Sequence, residues 1–190
     1  MKSILKYYLP NQEFTFEELD KLSGKKDGLW TWAQRAKINL LKMGFKIVEI
    51  ENWDIDEFVN SGKVYLIKRY GKEVAEVQTT HSDLDEARID YEEYGKYKIL
   101  ENKIPTFEDI KRLLDEGYLV CCNVNSKALN KKEGYSGHFV TVIGYENKHL
   151  FLHDPGLPAQ KNRKVSLIDF KKAWAFPDNN AQNLTAFRLK

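Results

Sequence analysis

The run GHFVTVIGYENKHLFLHDPG, Gly137 to Gly156, constrains this chain more than any other stretch of its sequence. Phe139-Val140-Thr141-Val142-Ile143 is β-branched and too apolar for an exposed strand, so it reads as a central one, buried on both faces. Gly144 to Lys148 holds the turn signal. His149-Leu150-Phe151-Leu152-His153 reads as the returning strand, stopped by Asp154-Pro155-Gly156. The pattern predicts an antiparallel hairpin inside a sheet.

The hairpin has a histidine at its head and an aspartate at its tail. If it is centred on Asn147, Asp154 falls opposite Val140 and diagonal to His138, on the same face. Diagonal cross-strand neighbours are roughly 7–8 Å apart, within reach of long side chains. A slip of one residue would carry Asp154 to the other face. His153 has the opposite parity and is expected to point away from His138. An imidazole exchanges protons near neutral pH, and a carboxylate on its second nitrogen sets the tautomer and stabilises the imidazolium. Beside a thiol, such a histidine also holds the reactive thiolate. A strand histidine and a turn-forming Asp-Pro-Gly are each ordinary. Their conjunction at the two ends of one apolar hairpin makes His138 and Asp154 candidate catalytic residues.

GHFVTVIGY…LFLHDPG, followed by Arg163, VSLIDFKKAW and a terminal NLTAFRL, resembles the bacteriocin-processing peptidase superfamily and its C39-like relatives. The resemblance covers most of the chain, most clearly Ser23 to Phe45 and Gly117 to Lys190. It implies a papain-like cysteine peptidase fold in which His138 shuttles a proton and Asp154 orients His138. Members carry the nucleophile as a Cys-Gly pair opening the first long helix, with a glutamine shortly before it. Here Met1, Ile4, Leu5 and Tyr8 already fall on one helical face, without a capping residue before them. The sequence thus looks like the family's first helix entered partway along. The expectation is a nucleophile a few residues before Met1, or none.

No other residue is a good substitute. Cys121 and Cys122 lie in Leu119-Val120-Cys121-Cys122-Asn123-Val124, a buried-strand pattern, and buried cysteines behave mostly as inert hydrophobes. Gly134-Tyr135-Ser136-Gly137-His138 is no nucleophile elbow, because a strand rather than a helix follows it. His149 and His153 stand roughly 13 Å apart on a strand, too far to share a metal ion. No cofactor or metal is expected.

Charge narrows the partners. Lys and Arg number 30 against 28 Asp and Glu, a net charge of +2, with the lysines spread along the chain. That argues against a nucleic-acid partner. No apolar run approaches the roughly 20 residues of a membrane span, and no signal peptide is visible. Two adjacent cysteines do not make a disulfide framework, which fits a cytoplasmic protein. The expected partner is a peptide or small amide substrate.

The remaining elements are predicted from caps and breakers. Thr15…Glu18 forms a capping box for a helix stopped at Gly24. Thr31 is expected to cap a helix beginning at Trp32 and ended by Gly44, before a strand from Phe45. Asp54 opens a short helix ending near Gly62. The charged stretch from Val64 to Tyr97 reads as helical, broken near His81-Ser82. Thr106 with Asp109 opens the helix that ends at Gly117. Ser166 and Asp169 open a last helix with Phe170 and Trp174 inward, before a strand from Leu184. Trp30 and Trp32 are expected to pack against the first helix rather than line a groove. Tyr135, flanked by Gly134 and Gly137, is either a flap over the cleft or a solvated turn. The sum is one α+β domain over residues 1–190, with a helical N-terminal half, an antiparallel sheet in the C-terminal half and the active cleft between them.

Two functions fit. One is a thiol hydrolase or acyl transferase acting on a peptide or amide, with its nucleophile outside the present sequence. The other is an inactive relative that binds a peptide or small molecule.

Overall fold

A computed structural model describes residues 1–156 and 158–190, which fall into two compact units: 1–47 with 54–99 and 187–190, and 48–53 with 100–186.

The first unit is helical. α1 (Lys2–Tyr8) starts at Met1 without a side-chain cap and buries Ile4 and Leu5. Tyr8 meets the Phe45 ring edge-on, and its hydroxyl donates to the Phe187 carbonyl at 2.7 Å. α2 (Phe16–Ser23) has the predicted capping box and ends at Gly24 in the left-handed region. α3 (Gln34–Lys42) begins two residues later than expected, and Ala33 rather than Thr31 occupies its cap. The reason lies in the tryptophans. Trp30 bridges to Ser82 and donates its N–H to the His81 carbonyl, which holds this segment extended. Trp32 stacks on Phe58 and meets Tyr91 edge-on. It therefore packs on α4 (Ile55–Ser61) and a later helix.

The long α5 (Lys63–His81) departs from expectation in its middle. Gly71 has φ 81 and ψ 165, a conformation open essentially to glycine alone. Lys63 pairs with Glu76 at 2.9 Å, although a straight helix would separate them by roughly 20 Å. The chain thus doubles back at Gly71, a reversal that its charged sequence did not advertise. The second break, at Ser82, lies where it was expected, and Asp83 caps α6 (Leu84–Gly95).

The second unit holds most of the sheet, whose strands are β1 (Phe45–Glu51), β2 (Leu100–Glu101), β3 (Leu119–Asn125), β4 (Gly137–Glu146), β5 (His149–Asp154), β6 (Gln160–Ser166) and β7 (Asn183–Leu189); residues 45–47 and 187–189 fall in the first unit. Among the described residues the strand order is β2-β1-β7-β3-β4-β5-β6. The run from β3 to β6 is antiparallel, as predicted, whereas β1 and β2 pair in parallel. α7 (Phe107–Asp115), opened by the Thr106–Asp109 capping box, and α9 (Leu167–Trp174), capped by Ser166, cover one sheet face. Ile110, Leu113, Phe170 and Trp174 pack there with Val120, Cys122, Val140, Val142, Leu150 and Leu152. Each such side chain contributes roughly 1.5–3 kcal/mol on burial. Besides the two-residue β2 and a 3-10 turn at Asn179–Ala181, two elements were not foreseen. One is the short α8 (Ser126–Leu129). The other is β6, whose sequence QKNRKVS lacks an apolar alternation because it is a solvated edge strand. The fold is mixed α+β.

Candidate active site

The β4–β5 turn is tighter than predicted. Glu146 pairs with His149, leaving Asn147 and Lys148 as a two-residue loop with Asn147 at φ 50. Extended without interruption, that register would set Asp154 opposite Thr141, on the face away from His138. A bulge intervenes: Gly144 pairs with Phe151 but Val142 with Leu152, so Ile143 is an extra residue. Beyond it Thr141 pairs with His153, the register centred on Asn147. Asp154 thereby returns to the face of Val140 and His138. The expected arrangement is present, and a one-residue irregularity produces it.

His138 Nε2 and Asp154 Oδ1 lie 2.6 Å apart. The pair is held from several sides. Asn123 Oδ1 accepts the His138 backbone N–H at 3.0 Å, and Asn123 is itself bonded through its N–H and carbonyl to the Asn183 side chain. Buried Asn125 organises the approach to His138, accepting the N–H groups of Lys127 and Ser136 and donating to the Gly134 carbonyl. Asp154 Oδ1 also accepts the Gly156 N–H at 3.0 Å. The Asp-Pro-Gly turn and the histidine therefore share one carboxylate oxygen. Space at Gly156 is tight: a Cβ there would stand 3.1 Å from Asp154 Oδ1 and 3.5 Å from His138 Cε1 and Nε2.

The other oxygen, Asp154 Oδ2, accepts from Arg163 Nη1 at 2.8 Å. Arg163 Nη2 donates in turn to the Leu129 carbonyl and Asn130 Oδ1, both at 3.0 Å. Arg163 belonged to the sequence motif without a role. The signal that could have assigned one is its parity on β6, where Arg163 and Val165 alternate with exposed Asn162 and Lys164. Burial, the largest influence on the Asp154 carboxyl, pushes its pKa up. Hydrogen bonds from His138, Gly156 and Arg163 outweigh it and hold the group below its ordinary 3.8. Asp154 is thus an anion at neutral pH. Among the described residues nothing hydrogen-bonds His138 Nδ1, and the side chain keeps 23% of its exposure. One nitrogen is oriented and the other is free to meet a reacting group.

The cysteines are elsewhere in character. Cys122 is fully buried, and burial first, with Cys121 beside it, drives its thiol well above the ordinary value. Cys121 is 8% exposed and has its sulfur 3.5 Å from Thr141 Oγ1, on the face opposite His138. The Tyr135 ring stacks on Phe176 at 5.9 Å. Among the described residues no cluster of three or more His, Cys, Asp or Glu side chains could hold a metal ion.

The chain is thus a mixed α+β fold with a partly buried imidazole bonded to a buried carboxylate. Its residues 58–180 match the model of the Peptidase_C39 like family, a span that includes both His138 and Asp154, and the chain belongs to that family. It is also similar to the uncharacterized protein YvpB of Bacillus subtilis (strain 168), at 48% identity over 40 residues. That match spans 21% of this chain and 15% of YvpB.

Proposed function

We propose that His138 and Asp154 are the acid–base half of a cysteine peptidase-type hydrolase or acyl transferase acting on a peptide or small amide. The observation that carries this reading is the 2.6 Å contact between His138 Nε2 and an ionised Asp154, with Nδ1 left unbonded. In this scheme Nδ1 takes the proton of an attacking thiol and later returns it to the leaving amine, while Asp154 fixes the tautomer and balances the imidazolium. The nucleophile is neither of the two cysteines present. Cys122 is enclosed by the core, and Cys121 faces away from His138. A second reading, an inactive relative binding a peptide or small molecule, is favoured by the burial of both cysteines. Among the described residues no helix is long and apolar enough to cross a membrane. We place the protein in the cytoplasm on its two free cysteines.

The test extends the chain upstream through the preceding in-frame codons and treats both forms with an electrophilic thiol probe and amide substrates. The expected result is no rapid labelling of the 190-residue form. The extended form should label quickly and turn over substrate, with both lost in His138→Ala. An extended form with no reactive thiol moves the protein to the binding reading. Rapid labelling of Cys121 or Cys122 that depends on His138 overturns the exclusion of those residues.

A further inference from the structure

On β6 the side chains of Gln160, Lys161, Asn162 and Lys164 are exposed, whereas Arg163 turns inward and keeps only 15% of its side-chain exposure. An inward charge on an edge strand can serve merely to discourage edge pairing. This one does more. Its two terminal nitrogens divide their hydrogen bonds between Asp154 Oδ2 and the end of α8, at the Leu129 carbonyl and Asn130 Oδ1. The guanidinium is a planar fork and cannot rotate away from one partner without losing another. The carboxylate is thereby held with Oδ2 committed to Arg163 and Oδ1 presented to His138 Nε2 and the Gly156 N–H.

We infer that Arg163 is a positioning residue: it anchors the Asp154 carboxylate to α8 so that Oδ1 stays ionised and aimed at His138. The inference deepens the hydrolase reading and rests on it for its catalytic meaning. Among the described residues the charged groups bonded to His138 or to its partner are Asp154 from β5 and, behind it, Arg163 from β6. β3 presents Val124 opposite His138 and the uncharged Cys122 diagonally. Among the described residues no second cation bonds Asp154: its bonds go to His138, Gly156 and Arg163. Loss of the fork therefore leaves the carboxylate with burial pushing its proton affinity up and fewer donors opposing it.

Two nuclear magnetic resonance readouts on the folded 190-residue chain test this without any turnover. The first is the titration of Asp154 followed at its carboxyl carbon. The second is the His138 Nε2–H proton, which its short bond to Asp154 should shift far downfield and protect from exchange with water. Arg163→Gln is expected to raise the Asp154 midpoint by about one pH unit and to broaden or remove the His138 signal. Arg163→Lys should restore most of the Asp154 midpoint, since the charge returns, but not the sharp His138 signal, since a lysine cannot hold Asp154 and α8 together. If Arg163→Gln does not fold, Asn130→Ala decides. Asn130 is exposed, so the substitution cuts one tether of the fork without opening the core, and faster His138 N–H exchange is expected. An unchanged His138 signal in every folded variant, with an unchanged Asp154 midpoint in Arg163→Gln wherever that variant folds, overturns the inference. Failure of the extended chain to hydrolyse amides would leave these spectra untouched, so the two readings fail separately.

Discussion

Asp154 and Asp90 are both about as buried as an aspartate can be, at 5% exposure each, and each is paired with an arginine. Their pKa values are nonetheless shifted in opposite directions. Burial is the largest influence on both and raises both. At Asp154 three donors, from His138, Gly156 and Arg163, overcome it and lower the pKa. At Asp90, on α6, Arg35 opposes burial by charge and hydrogen bond. The neighbouring Glu86 and Glu93 push the same way as burial, and the pKa ends raised. Arg35 is also shared: its other nitrogen goes to Glu93 at 3.0 Å, which Lys42 bonds as well. A buried acid paired with arginine is therefore not one kind of site. The number of donors and the sign of the next charges decide whether it stays an anion. By that criterion the carboxylate proposed to orient His138 stays an anion, and the buried one of the helical unit is shifted the other way.

The largest effect expected from this contrast is on stability. Asp154→Ala leaves the Arg163 guanidinium enclosed without its anion and should cost about 3–5 kcal/mol, the range for breaking a buried pair. Asp90→Ala should cost less than half of that, because Arg35 is 26% exposed and retains Glu93. Urea denaturation of the two variants measures both. Equal losses would remove the distinction.

Gly156→Ala tests the backbone donor on its own. The added Cβ meets Asp154 Oδ1 at 3.1 Å, so the turn or the carboxylate must give by a few tenths of an ångström. Overpacking of this kind costs about 1–3 kcal/mol. The His138–Asp154 contact should lengthen with it, visible as loss of the downfield His138 N–H signal. An unperturbed signal would show that the turn does not help aim the carboxylate.

The smallest effect is on the acid limb of stability, and it has opposite signs at the two sites. Asp154 binds its proton less tightly when folded. The stability it contributes is complete above its unfolded pKa of about 3.8 and is lost as pH falls through the lower folded value. Asp90 binds its proton more tightly when folded, so its contribution is present at low pH and is lost as pH rises through the raised value. Asp154→Asn should flatten the acid limb. Asp90→Asn should steepen it, since a gain on acidification disappears. Thermal melts between about pH 3 and pH 7 read both slopes, and parallel curves would contradict the assigned directions.

The legible parts of this molecule are those with local causes. Thr15, Asp54, Thr106 and Ser166 each accept a backbone N–H from within the next three residues, so four helix starts were readable from short motifs. The hairpin was readable because a run such as Phe139 to Ile143 has few alternatives to a central strand. Of the site, His138 and Asp154 were identifiable as a pair and as members of one face. Arg163, Gly156, Asn123 and Asn125 were not assigned roles, because nothing in their immediate sequence states what lies across the sheet from them. Trp32 shows the same limit in the helical unit. Its partners Phe58 and Tyr91 are far along the chain, so its neighbours in sequence do not announce them.

By itself the sequence determined the kinds of element, most of their ends, and the presence of an imidazole and a carboxylate on one apolar hairpin. It did so through hydrogen bonds and periodicities that span a few residues. Tertiary structure decided the rest. The extra residue at Ile143 turned a two-residue loop into the register that joins His138 to Asp154, and Gly71 reversed a helix that the composition would have continued. β6 brought Arg163 beside Asp154 across the sheet and against α8. The common reason is that cross-strand register and the company of a buried charge depend on which chains lie side by side, and that is settled only when the whole core packs.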